Sequence, residues 1–227
     1  MSDRHDHPTH RPSLTPALLI KAYSMGVFPM ADAADDPDVF WVEPKRRGLL
    51  PLDTVHCPKR LARTIRQDKV RVTTDACFEP VMRACAAERP IRPSTWINQE
   101  IIDGYCALHK VGHAHSVEVW SLDDELIGGL YGVSIGAAFF GESMFSTQTD
   151  ASKIALMHLI ARLKVGHYQL LDTQFFTDHL GQFGAVEMPQ DAYLDQLAPV
   201  LAASASFTAA PSSLDGATVL QSITQTS

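Results

Sequence analysis

Nowhere in its 227 residues does this chain hold an apolar run approaching the about 20 residues that a membrane-crossing helix needs. Its opening stretch, MSDRHDHPTHRPS, has no apolar core of the kind a secretory signal requires, so export is not expected. Cysteine is scarce: Cys57, Cys77, Cys85 and Cys106 include no CxxC pair. A disulfide framework or a zinc knuckle is therefore not expected. These absences point to a cytoplasmic protein. A phosphate-cradling glycine loop is missing as well. GGLYG (128–132) lies inside a β-patterned stretch and opens no helix, so its glycines are read as admitting a ligand or a bulge to the sheet.

What is present is an ordinary globular composition, 45% hydrophobic and 20% charged, with charge spread unevenly. Net charge is −7, yet residues 45–71 hold nine basic side chains against Asp53 and Asp68. That stretch is +7 and the remainder −14. Either it is a solvated face, or it is a docking surface for a polyanion on an otherwise acidic protein. Within it, Cys57-Pro58 opens a helix reaching about Gln67. Lys59, Arg60, Arg63 and Arg66 fall on one side of that helix, with Leu61 and Ile65 facing inward. Convergence of the charges favours the docking reading.

Elsewhere, Thr15-Pro16 is a helix start, with a capping hydroxyl and then proline at the first helical position. Gly26 ends that helix, VFPMADAADDPD reads as loop, and VFWV (39–42) as a short strand. Val70 to Thr74 reads as a strand, and Phe78 to Ala87 and Asn98 to Lys110 as helices. A β-meander follows from Ser116 to Gly141, then a helix from about Ala151 to Lys164, a strand from Tyr168 to Asp172, and a last helix from Asp191 to Ala203. Residues 1–13 and 207–227 are expected to be disordered; residues 204–227 hold ten Ser or Thr and one charge, Asp215. The pattern predicts a mixed α+β or α/β chain: a small N-terminal α/β domain over 14–46 and an acyltransferase-like domain over 47–206.

Two carboxylates stand out. Glu142 is placed one residue past a strand end, and Asp172 at the end of the strand after the next helix, with Gln174 two residues on. Strand ends at one sheet edge converge, so these side chains can face one cleft; helix capping and loop solvation is the competing account. Asp150 is assigned to capping the helix that follows. His109, His113 and His115 span a helix end, a glycine turn and a strand start, a spacing that does not favour a metal. Cys106, among apolar neighbours, reads as a core thiol. In an acyl-CoA enzyme of this layout a glycine-rich loop would precede the long helix. Here GESMFSTQTDAS (141–152) fills that slot with one glycine and two acids, so coenzyme A is not the expected donor.

Eight motifs then identify a resemblance: AYSMGVFPM (22–30), STWI (94–97), LHKVGHAHSVEVW (108–120), ELIGGLYGV (125–133), FFGESMFS (139–146), ASKIAL (151–156), LLDTQF (170–175) and DHLGQFGA (178–185). In order and over about residues 14–200, the chain resembles the leucyl/phenylalanyl-tRNA–protein transferases. The resemblance implies an acetyltransferase-like (GNAT-type) C-terminal domain, no metal and no cofactor. It implies transfer of leucine or phenylalanine from tRNA to the α-amine of proteins beginning with Arg or Lys, feeding the bacterial N-degron route. A monomer is expected. By resemblance, Asp172 polarises Gln174, which draws a proton from the attacking amine, and Glu142 holds the acceptor N-terminus. Matched positions put Met30, Leu130, Phe139, Met144 and Phe145 around the aminoacyl side chain, and Trp96 and Tyr105 near the terminal adenosine. Lys59, Arg60, Arg63 and Arg66 would meet phosphates of the acceptor stem. One departure is plain: Met30 stands where the family usually has Trp, which opens the preference among Leu, Phe and Met. A coenzyme-A-dependent N-acetyltransferase and a non-enzymatic RNA-binding module are the two competing readings.

Overall fold

The computed structural model describes residues 13–88 and 94–224. The N-terminal tail expectation falls almost wholly outside these residues. Helix α1 (Pro16–Ser24) starts as read, with the Thr15 hydroxyl accepting from the Leu18 amide. Strands β1 (Phe28–Met30) and β2 (Phe40–Val42) then pair antiparallel, so the stretch read as loop begins as a strand. Strand β3 (Arg46–Leu49), which the sequence pattern did not suggest, leads to α2 (Lys59–Arg66), β4 (Arg71–Thr74), α3 (Phe78–Ala86) and α4 (Gln99–Lys110). Next come β5 (Ala114–Trp120), β6 (Leu126–Ile135), β7 (Ala138–Ser146), α5 (Ala151–Val165), β8 (Leu170–Gln174) and α6 (Asp178–Gly181). Strand β9 (Val186–Pro189), α7 (Gln190–Ala202) and α8 (Gly216–Thr224) complete the described chain.

Seven strands form one mixed sheet in the order β4-β5-β6-β7-β8-β3-β9, so the fold is α+β. All neighbours run antiparallel except β7 and β8, which α5 connects in parallel. Two apolar layers sandwich the sheet. Leu61 and Ile65 of α2, the buried apolar residues of α5, and Val219, Leu220 and Ile223 of α8 share one. Residues of α1, α3, α4 and α7 build the other.

Helix α5 explains why the chain after residue 204 is ordered. Eleven of its side chains are buried, from Ala151 to Leu163, nine of them apolar with His158 and Arg162 between, so it must be covered on more than one side. The sheet covers one side and α8 another, through Val219, Leu220 and Ile223. Phe207 stacks on His115 (centroids 4.1 Å apart) and on Phe139 (5.7 Å). Buried Arg162 donates to the carbonyls of Phe207 (3.0 Å) and Ala210 (3.1 Å). The expectation of disorder therefore fails for 207–224. Averaged composition hid a few apolar side chains at helical spacing, and their partner lay 60 residues upstream.

Candidate active site

Strand β7 runs on to Ser146, so Glu142 stands inside a strand and not one residue past its end. Its placement comes from an irregularity in the pairing with β6. Gly132 faces Gly141 and Tyr131 faces Ser143, leaving Glu142 as the extra residue of a β-bulge. A bulge re-aims one side chain out of the alternation. Gly132 is required opposite it: a Cβ there would sit 2.3 Å from the Phe140 carbonyl oxygen. So the bulge, rather than an approaching ligand, accounts for the third glycine of GGLYG.

The second carboxylate does something else. Asp172 is fully buried against Arg47, also fully buried. Arg47 Nε donates to both oxygens of Asp172 (3.0 and 2.8 Å), while Nη2 lies 2.7 Å from Oδ2 without hydrogen-bond alignment. Tyr193 of α7 donates to Oδ2 at 2.5 Å. The guanidinium lies 5.0 Å from the Phe28 ring and 4.8 Å from the Tyr193 ring, and donates to the Gly26 carbonyl at 2.9 Å. Asp172 thus clamps β3, β8, α1's end and α7 together. It does not face the cleft, and it meets Gln174 through the backbone: the Gln174 amide donates to Oδ1 at 2.7 Å. Polarisation of the Gln174 side chain by Asp172, as first read, is not what the geometry offers.

Gln174 itself is held in a positive-φ conformation (55°), with the Phe175 amide donating back to the Thr173 carbonyl at 2.6 Å. This is a γ-turn of the strained hand, the kind of outlier that collects at functional sites. The turn presses on β3, where a Cβ on Gly48 would lie 2.5 Å from the Phe175 carbonyl carbon. The turn aims the side chain at Glu142, and Gln174 Nε2 donates to Oε1 at 2.9 Å.

Tyr23 of α1 donates to the same Oε1 (2.6 Å) and Tyr105 of α4 to Oε2 (3.4 Å), and the two phenols also touch each other. Burial, with the nearby Glu142 charge, pushes both phenols well above their usual range, so they stay protonated and donate. Burial pushes Glu142 up to about 7; the Tyr23 hydrogen bond, Arg47 and Tyr105 pull the other way, and the charge of Asp172 adds to the rise. The carboxyl therefore titrates near neutrality, where a proton acceptor works best.

Above Glu142 and Gln174, β7 and β8 part company. Their pairing stops at Phe140 with Asp172, and beyond it the two strands line a cavity of about 440 Å³. Its floor is apolar, with Leu130, Leu156, Leu159, Leu171 and Leu180; Met30, Met144 and Trp96 join the wall. Of the residues expected around an aminoacyl side chain, Met30, Leu130 and Met144 are there. Phe139 and Phe145 are not: both are buried in the core, one on each side of the sheet. Trp96 reaches the cavity, but Tyr105, expected beside adenosine, lies sealed beneath Glu142. Sequence reasoning missed Tyr23, Arg47 and Tyr193. A buried aspartate demands a cation, and Arg47, just before the apolar GLLPL, was the signal available.

The remaining candidates sort as follows. Asp150 occupies the N-cap position of α5 in a left-handed conformation (φ 65°) and makes no capping bond. Its carboxylate instead pairs with Arg60 and Lys153, each at 3.0 Å, while the Ser146 hydroxyl accepts from the Ser152 amide. Arg60 is thus tied to α5, whereas Lys59, Arg63 and Arg66 make no ion pair among the described residues. Arg46 and Arg71 pair with Glu187 and Asp124, so the basic run is less free than its charge suggested. The histidines bond to different groups, His109 to the Ala114 carbonyl, His113 to the Ser134 carbonyl and His115 to Asp75, although His109 also lies 3.9 Å from the Asp75 carboxylate. No group of three or more His, Cys, Asp or Glu side chains among the described residues is arranged to hold a metal ion. Burial raises the Cys106 thiol, with Glu79 and Asp103 adding to the shift, which leaves it a poor nucleophile.

Comparison with known proteins decides the family. The model described as "Leucyl/phenylalanyl-tRNA protein transferase" matches residues 49–198, and that of its N-terminal domain matches residues 13–45. The chain belongs to this transferase family. Leucyl/phenylalanyl-tRNA–protein transferases of Nitrobacter winogradskyi and Maricaulis maris are 56% and 54% identical to it. The first aligns over 87% of this chain and 88% of its own, the second over 92% and 96%. Among solved structures, L-PGS from Bacillus licheniformis superposes with a TM-score of 0.43 at 9% identity, over 77% of this chain and 66% of that one, too distant to carry an argument. The protein is a transferase, then, and the bulged carboxyl and its cavity are the candidate centre of that family's chemistry.

Proposed function

We propose that this transferase moves leucine or phenylalanine, and on account of Met30 also methionine, from the 3′ end of aminoacyl-tRNA to proteins with N-terminal Arg or Lys. The product would feed the bacterial N-degron route. The observation that carries the reading is a carboxyl titrating near 7 at the wall of an apolar cavity, with a side-chain amide bound to it. The names of the relatives supply the substrate class. The core is read as GNAT-type, on the ground that an antiparallel meander runs through α5 into a parallel strand parted from it. The division into a small domain over 14–46 and a catalytic domain over 47–206, a cytoplasmic location, a monomer, and action without cofactor or metal belong to the same proposal. No helix among the described residues is long and apolar enough to cross a membrane.

The apolar floor takes the aminoacyl side chain, and Trp96 offers a stacking face to the terminal adenine. The acceptor α-amine sits against Glu142, whose carboxylate takes its proton as nitrogen attacks the ester carbonyl. The C–N bond forms, the bond to the ribose oxygen breaks, and that oxygen leaves with a proton returned to it. Gln174 orients Glu142 and supplies its amide to the reacting groups; Asp172 positions the Gln174 backbone. The ester is already activated, so the gain lies in positioning and proton transfer. Lys59, Arg63 and Arg66 meet the phosphates of the acceptor stem. Labelled Leu-tRNA offered to two peptides, one beginning with Arg and one with Ala, tests the proposal. Label on the Arg peptide alone is expected, and label on neither overturns it.

A further inference from the structure

Helices α2 and α8 enclose a groove of about 780 Å³, away from the cavity that holds Glu142. Its α2 side presents His56, Lys59, Arg63 and Arg66, all exposed. Its α8 side presents Ala217, Gln221 and Thr224, also exposed, above an apolar floor that includes Val55, Leu220 and Ile223. No aspartate or glutamate among the described residues lines it. Asp68, the acid at the end of α2, is turned to the Gly216 amide (2.8 Å) and holds the start of α8 in place. The other end of α8 is held by Lys164, which donates to the Ile223 carbonyl at 3.4 Å. Helix α8 lies beyond residue 198, where the match to the family's catalytic-domain model ends.

We propose that α8 turns the basic face of α2 into a groove for an RNA sugar–phosphate backbone, with Gln221 and Thr224 as its second wall. The inference rests on the aminoacyl-tRNA reading above and assigns the tRNA body a contact made by this chain's C-terminal helix. The chemistry fits on both sides. Three cations without an ion pair among the described residues attract phosphates, the apolar floor accommodates sugar faces, and the Gln221 amide opposite donates to phosphate oxygens beside Thr224, whose hydroxyl is turned to the Leu220 and Gln221 carbonyls (3.0 Å each). A continuous acid-free lining inside a chain of net charge −7 is otherwise hard to account for.

The test reads charge at a position that folding does not need. Full-length protein carrying Gln221→Lys, Gln221→Glu, or Gln221→Glu with Thr224→Glu is titrated with uncharged tRNA at low and high salt. Gln221→Lys is expected to tighten binding about threefold at low salt. Gln221→Glu should weaken it by a similar factor and the double variant about tenfold, with all differences shrinking as salt rises. Equal affinity for the Lys and Glu variants overturns the inference. Arg63→Ala with Arg66→Ala is run alongside: affinity lost there but unmoved at 221 removes α8 alone, and affinity unmoved in both removes the whole groove. Opposite responses at 221 in a protein that labels neither peptide keep the groove and sink the proposed reaction instead.

Discussion

Glu142 is defined by what surrounds it: two phenols, one amide, a nearby buried aspartate and a cavity. Because its folded pKa lies above the ordinary 4.5, at about 7, the native state binds a proton that the unfolded chain has released between those values. Its contribution to stability is therefore greatest below pH 4.5 and falls as pH rises to about 7, by up to about 1.4 kcal/mol per pH unit. Glu142→Gln is expected to flatten that part of a urea-unfolding series across pH. In transfer assays the same variant should lose at least about tenfold in kcat and its dependence on a group near 7, leaving only titration of the acceptor amine. Tyr23→Phe removes the shortest of the Glu142 hydrogen bonds given above, so the pH limb of transfer should move upward while the aminoacyl-tRNA KM holds. Asp172 demands a different test. Arg47→Met leaves its carboxylate buried without a cation, which should cost about 3–5 kcal/mol in unfolding measurements.

At the scale of elements, the site is made of irregularities. A bulge in β7 exposes Glu142, a strained turn at the end of β8 swings Gln174 towards it, and the parting of the two parallel strands opens the cavity. Gly48 of β3 makes room for the turn. Gly48→Ala is expected to cut transfer more than about tenfold while stability falls by only about 1–3 kcal/mol, since the new methyl must displace the turn that aims Gln174. An equal loss of activity and folded fraction would speak against that account. These irregularities also mark the limit of sequence reading. Apolar periodicity located α4, α5 and the meander, because those elements satisfy their own pattern. Strands β3 and β9 are short and carry charge, and their partners lie far along the chain, so no local pattern announced them. Helix α8 carries no charge and does hold apolar side chains at helical spacing, but the Ser- and Thr-rich composition around it masked them. Leu220→Ala, in the contact between α8 and α5, should cost about 2–4 kcal/mol.

For the whole molecule, the acidic chain with one basic stretch predicts steep salt sensitivity. If Lys59, Arg63 and Arg66 each release a counterion, the log–log slope of tRNA affinity against salt should be about −3 in magnitude and sign, and about −1 after Arg63→Ala with Arg66→Ala. The stretch was legible as charge, but its division was not: Arg47 went to the core, Arg46, Arg60 and Arg71 to ion pairs, and three cations on α2 to the groove. Motif order alone pointed to the family, and strand-end spacing offered one cleft for Glu142, Asp172 and Gln174 against a capping and solvation account, because both readings are local or ordered along the chain. Which carboxylate lines the cavity was decided only in three dimensions. Glu142 and Asp172 look alike in the sequence; a cation within 3 Å and a phenol beside it make one a buried clamp, and the lack of any such cation contact among the described residues leaves the other to titrate at the wall of the cavity.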